Sequence, residues 1–155
     1  MSKFAPPDDI HFNTEKIVDP SAFARERSAA SWLYLNGEEF ASMEGGMSYA
    51  QVESAVERSA NVVSDPPRVL TVDLARQHVA ALDELPRPTL VTCRAGPRSS
   101  AVAYMYSGLR SGADPEDVIA EAERRGAPFC KFDDYKEWVR ESITRLRAAE
   151  PSEKV

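Results

Sequence analysis

The stretch Pro86–Leu109, PRPTLVTCRAGPRSSAVAYMYSGL, carries a cysteine, three arginines and adjacent serines at spacings that could do chemistry. Its apolar run Thr89-Leu90-Val91-Thr92 has the character of a buried strand and ends at Cys93. Arg94-Ala95-Gly96-Pro97 follow. From Ser99 to Leu109 the pattern becomes helical, with Ala101, Met105 and Leu109 on one face and Val102 and Tyr106 beside them. The spacing predicts strand, loop and helix, with a thiol at the strand end and Arg98 at the helix start. Backbone N–H groups without helical partners, at the positive end of the helix dipole, stabilise a sulfur anion there. Arg94 and Arg98 act in the same direction. The same N–H groups make a concave anion site, in which Gly96 permits a tight turn and Arg98 can grip two oxygens of a tetrahedral anion. The chemistry is that of a nucleophile on the floor of an oxyanion cradle. A lone cysteine is more often a small buried hydrophobe. It is the company of Gly96, Arg98 and Ser99 that gives Cys93 a chemical reading.

The rest of the chain must position that loop. Its 155 residues suit one domain with a single sizeable core, and 43% hydrophobic and 28% charged residues are ordinary for a globular protein. A formal net charge of −6 argues against nucleic acid or an anionic membrane as partner. No apolar run approaches membrane-spanning length, and MSKFAPPDDI lacks the apolar centre of a signal peptide. Cys93 and Cys130 make no disulfide framework, and His11 and His78 alone make no zinc cluster, so the expectation is a cytoplasmic protein with neither metal nor cofactor.

Residues 1–9 read as a loose lead-in, 10–149 as one domain and 150–155 as a polar tail. Ile10-His11-Phe12 predicts a short edge strand, with His11 on its surface. Asp19-Pro20 predicts a helix start for 21–28, and 30–35 a second strand. Residues 36–47, rich in glycine and acid, predict a loop. Ser48 with Gln51 is a capping box, 61–63 a third strand, and Thr71 the cap of a helix with Leu74, Val79, Leu82 and Leu85 facing the core and His78 at its edge. Strand and helix thus alternate as far as the Cys93 loop, which implies an α/β sheet covered by helices. Beyond it come only helices, one opened by Asp114-Pro115 and stopped by Gly126, the next opened by Asp133-Asp134 with Tyr135, Trp138, Val139, Ile143 and Leu146 at core spacing.

TLVTCRAGPRSSAVAYMYSGLRSGADPEDVIAEAERRG resembles the phosphatase-like domain of the beta-lactamase-hydrolase-like proteins, relatives of the dual-specificity and protein tyrosine phosphatases. The likeness extends upstream through WLYLNGEE and VDLARQHVAALDELPRP, covering roughly Asp9 to Phe129. It implies a protein-tyrosine-phosphatase-like α/β domain, with a mostly parallel sheet of about four to five strands and a helical C-terminal third. It also implies a reaction without metal. Cys93 would be the nucleophile, the backbone of Arg94, Ala95, Gly96 and Pro97 the phosphate cradle, Arg98 the oxyanion ligand and Ser99 the hydroxyl that helps the thiolate leave. The substrate would be a phosphorylated protein or small molecule.

The chain departs from that pattern in three places. Four residues separate Cys93 from Arg98 where tyrosine phosphatases have five, Thr92 stands where they carry histidine, and the general acid must be sought upstream. Asp65, in Ser-Asp-Pro-Pro after a strand, is the candidate acid, although that tetrapeptide is also ordinary turn chemistry. Four intervening residues are also the spacing of rhodanese sulfurtransferases, in which the cysteine would carry a persulfide. A rhodanese domain would place another strand soon after the loop helix, and here only helices follow. A third reading keeps the cradle as a non-catalytic anion-binding module. Arg68, Arg87 and Arg94 offer positive charge near the mouth, and Glu38 and Glu39 would oppose highly anionic substrates if their loop forms the rim. Cys130 reads as part of a packed turn, with a protective disulfide to Cys93 as the alternative.

Overall fold

The computed structural model describes residues 4–6, 8–37, 47–65 and 70–149, with the backbone alone at Ser64 and Asp65. The expectations placed on Glu38, Glu39 and Arg68 lie outside the described residues. Among the described residues four strands form one parallel sheet in the order β1-β4-β2-β3, where β1 is Ile10–Phe12, β2 Ser31–Asn36, β3 Arg58–Asp65 and β4 Thr89–Thr92. The strand that ends at Cys93 is therefore interior. It pairs with β1 through Ile10↔Thr89 to Phe12↔Val91, and with β2 through Ser31↔Thr89 to Tyr34↔Thr92. Burial on both sides explains why TLVT reads as a continuous run rather than an alternating one.

The two sheet faces are told apart by strand periodicity. Trp32, Tyr34 and Leu90 point to a small core under α1 (Pro20–Glu26) and α2 (Tyr49–Ala55), shared with Ala24, Met47 and Val52. Leu33, Leu35, Val91 and Cys93 point to the larger core on the other face. That core is built with α3 (Val72–Glu84), α4 (Pro97–Ser111), α5 (Pro115–Arg124) and α6 (Asp133–Ala149). A short 3-10 turn, Pro128–Lys131, joins α5 to α6. Phe4, in the lead-in, is buried against the Tyr104 ring at 6.0 Å. Among the described residues no helix is long and apolar enough to cross a membrane.

Local capping explains the helix starts. Asp19 Oδ1 accepts from the Ala22 N–H at 3.1 Å, Ser48 and Gln51 close a reciprocal capping box, and Thr71 Oγ1 accepts from the Leu74 N–H at 3.1 Å. Each such cap contributes about 1 kcal/mol to its helix. Three expectations change. The third strand runs from Arg58 to Asp65 rather than over 61–63, because its polar ends pair with β2 through the backbone. The first helix stops at Glu26, and Ser28 takes a left-handed φ of 51°. Finally, α4 is buried at every position from Arg98 to Leu109 and not along one stripe. It passes through the middle of the domain, with the sheet on one side and α3, α5 and α6 around the rest.

Candidate active site

In a parallel sheet all strands deliver their C-terminal ends to one edge, and here that edge gathers the end of β1, the Cys93 loop after β4 and the end of β3. Three bent residues, Arg94-Ala95-Gly96, carry the chain from Cys93 to Pro97 at the first position of α4. Gly96 takes φ 120°, in the left-handed region. The Cys93 Sγ accepts from two backbone donors, the N–H of Gly96 and the N–H of Ser99, each at 3.2 Å. Ser99 Oγ lies 3.5 Å from the same sulfur. The structure thus wraps the helix N-terminus around the thiol, as the strand–loop–helix spacing implied. Arg94 and Ala95 are exposed, Pro97 is half-buried, and Cys93, Gly96, Arg98 and Ser99 are buried.

A cleft of about 220 Å³ opens on this loop, lined by Lys16, Cys93, Arg94, Ala95, Pro97, Arg98 and Tyr135. Arg98 is 1% exposed, and its guanidinium carbon sits 5.5 Å from the Tyr135 ring centre and 5.7 Å from that of Trp138. Both aromatic residues come from α6, whose Trp138 is itself fixed by an Nε1–H bond to the Thr71 carbonyl at 2.8 Å. Aromatic faces stabilise a cation while excluding water from it, and an unscreened cation attracts an anion in the cleft more strongly.

His78 departs from its expected place at the edge of α3. It is fully buried, edge-on to Trp138 with 6.0 Å between ring centres. Burial, and then the Arg98 charge, hold its pKa down to about 3. The ring therefore stays neutral in the fold down to about pH 3, whereas in the unfolded chain it takes up a proton below about 6.5. Between those limits the unfolded state binds the extra proton, so stability falls as pH falls. We expect a slope of up to about 1.4 kcal/mol per pH unit from this group. Urea denaturation at pH 7, 5 and 4 should show it, and His78→Phe should flatten it; an equally steep His78→Phe profile would assign the acid sensitivity to other groups.

Thr92, where histidine was the family pattern, has a packing role: its Oγ1 accepts the Trp32 Nε1–H at 2.8 Å, on the sheet face away from α4. Arg87 is not at the mouth. It lies beside the opposite end of β4, where its Nη1 donates to the Leu82 and Leu85 carbonyls at 2.9 Å each and its Nη2 to Tyr106 Oη at 3.0 Å. Asp65 ends β3 at the loop's edge of the sheet, with β2 between β3 and β4, and its side chain lies outside the described part of the structure. Cys93 and Cys130 are both free thiols. Cys130 sits in the 3-10 turn, and burial, followed by the nearby Glu123, pushes its thiol up to about 11, which suits a packed turn rather than a reactive partner.

Two residues at the site escaped sequence reasoning altogether, Lys16 in the cleft lining and Asn13 beside the loop. Asn13, just past β1 and 2% exposed, reaches both ends of the loop. Its Oδ1 accepts from the Cys93 N–H at 3.1 Å and from Ser99 Oγ at 2.8 Å, while its Nδ2 donates to the Cys93 carbonyl at 2.9 Å. Its only sequence signal is an amide after a short edge strand, which is common in turns.

No family model matches the chain, and no curated protein matches it by sequence. Its fold does match solved structures. Tk-PTP, in a mutant form, superposes with a TM-score of 0.71 at 16% identity, covering 96% of this chain and 98% of its own. The core catalytic domain of the PP-IP phosphatase SIW14 from S. cerevisiae, in complex with citrate, gives 0.61 at 14% identity over 95% and 94%. PTPMT1 gives 0.60 at 12% identity over 95% and 97%. The chain therefore has the protein-tyrosine-phosphatase-like fold.

Proposed function

We propose that the protein is a cysteine-dependent phosphatase that hydrolyses a phosphate monoester through a phosphocysteine on the Cys93–Arg98 loop. The observation that carries this reading is the sulfur itself. It lies under two backbone N–H donors at a helix N-terminus, with a buried arginine lining the same cleft. The phosphatase neighbours of the fold support it.

In the first step the Cys93 thiolate attacks phosphorus in line, the P–S bond forms and the ester P–O bond breaks. The departing oxygen takes a proton from a general acid, a role we assign to Asp65. Arg98 supplies the bidentate fork to the equatorial oxygens, the loop backbone at Arg94 and Ala95 adds N–H donors around them, and Gly96 supplies the turn that shapes the cradle. Pro97 has no N–H to give. It contributes to the cradle by presetting the backbone angle at the first helical position. In the second step water attacks phosphorus and gives its proton to the Asp65 carboxylate; the new P–O bond forms as the P–S bond breaks, releasing phosphate and a Cys93 thiolate stabilised by the Gly96 and Ser99 N–H groups and the Ser99 hydroxyl.

The four-residue spacing from Cys93 to Arg98 favours the second reading, sulfur transfer through a Cys93 persulfide. Against it stands the helical run from α4 through α6, with no strand between residues 93 and 149. A paired assay on one preparation separates the two, with Cys93→Ser as the blank: p-nitrophenyl phosphate hydrolysis in one arm, thiosulfate:cyanide sulfur transfer in the other. The expected result is nitrophenol release that Cys93→Ser abolishes, with no thiocyanate. Cys93-dependent thiocyanate alone would replace the phosphatase reading with sulfur transfer, and silence in both arms would point to an anion-binding module or to an enzyme whose substrate neither assay resembles.

A further inference from the structure

Every hydrogen bond of the Asn13 side chain has an unambiguous direction. Its oxygen faces two donors, the Cys93 N–H at 3.1 Å and the Ser99 hydroxyl at 2.8 Å. Its nitrogen faces two acceptors, the Cys93 carbonyl at 2.9 Å and the Glu15 carbonyl at 3.0 Å. The flipped amide would set donor against donor and acceptor against acceptor, so one orientation is fixed. The clamp is also tight, because the Asn13 carbonyl lies 2.7 Å from where a Cβ on Gly96 would stand.

Ser99 has a single hydroxyl proton. Of the acceptors around it, Asn13 Oδ1 at 2.8 Å is the nearest, ahead of the Gly96 carbonyl at 3.3 Å. With that proton on Asn13, Ser99 Oγ is left to accept from the Cys93 thiol across 3.5 Å. Once the sulfur is an anion, the same proton serves best turned toward sulfur. Asn13 can release it at modest cost, because its Oδ1 keeps the Cys93 N–H.

The geometry points to Asn13 as the positioning residue of the site: it fixes the Cys93 backbone and sets the direction of the Ser99 hydroxyl, holding it while the sulfur is protonated and yielding it to the thiolate. This rests on the proposed nucleophilic role of Cys93. Asn13 touches no reacting atom, so it acts through the Ser99 hydroxyl and the Cys93 backbone.

The test is a double-mutant cycle of Asn13→Asp and Ser99→Ala in a Cys130→Ser background, where Cys93 is the one remaining thiol. A carboxylate at position 13 keeps the acceptor, holds the serine proton more firmly and removes the two donated bonds. Two readouts are taken, p-nitrophenyl phosphate turnover and alkylation of Cys93 by iodoacetamide at pH 7. We expect Asn13→Asp to lower kcat about a hundredfold with KM within about threefold, and to slow alkylation about tenfold. In the Ser99→Ala background the added losses should shrink about tenfold. Equal losses in both backgrounds, or a raised KM with kcat intact, would overturn the proposal. Should Asn13→Asp fail to fold, as judged by circular dichroism, Asn13→Ala takes its place in the turnover cycle with the same expected coupling. Alkylation uses no phosphate ester, so coupling there without hydrolysis would count against the phosphatase reading alone, and hydrolysis without coupling against Asn13 alone.

Discussion

Arg98→Ala should lower kcat/KM for p-nitrophenyl phosphate by about three orders of magnitude, with most of the loss in kcat. Arg98 is 1% exposed and lines the cleft with Cys93, and its guanidinium rests near two aromatic rings of α6. A cation so enclosed acts at low effective dielectric, where its hold on a charge-spreading phosphoryl group is far greater than in water. Its fork can also bind two oxygens at once, whereas the ammonium of Arg98→Lys is a point charge on a different stem, so that variant should recover only part of the loss. Both proteins are measured beside wild type at one pH, with their circular dichroism spectra compared. Wild-type turnover in Arg98→Ala would remove Arg98 from the site.

Gly96→Ala should also be damaging, about tenfold less so, for a reason that lies in the backbone. A φ of 120° is strained for any residue with a Cβ. The new methyl would also stand 2.7 Å from the Asn13 carbonyl, 3.0 Å from Thr14 Cα and 3.1 Å from Pro128 Cγ. The first two are backbone and cannot swing aside. Relief requires the loop to move, which withdraws the Gly96 N–H from the sulfur. We expect a loss of about a hundredfold in kcat and a destabilisation of about 2–3 kcal/mol, or roughly 4–12 °C in Tm for a chain of this size. Thermal denaturation and turnover together check this. An unchanged Tm would mean that the loop adapts without strain, and unchanged turnover that the Gly96 N–H does not matter to the sulfur.

The features legible in the sequence are those whose deciding contacts are local. The caps at Asp19, Ser48 and Thr71 satisfy donors three residues away, so the side chain and its partner sit in one short window. The strand–loop–helix at Cys93 is of the same kind, since sulfur and its two N–H donors lie within six residues. That Thr92 stands where the resembled phosphatases carry histidine is also legible in the sequence, whereas its packing partner, an indole from the neighbouring strand, is not.

What escaped depends on residues far apart in the chain. Asn13 matters because β1 pairs in parallel with β4 and so ends beside Cys93, 80 positions later. His78 is neutral and buried because α6 folds over α3 and sets Trp138 against it. Arg87, which by charge alone belonged with Arg94, is at the opposite end of β4. The thiol at the strand end, the backbone donors around it and the alternation of strand and helix were legible in the residues alone, because they follow from side-chain type and short-range hydrogen bonding. The surroundings of that group came with folding. The polarity around a buried charge and the partners of a buried amide are set by strands and helices that meet only in the folded chain.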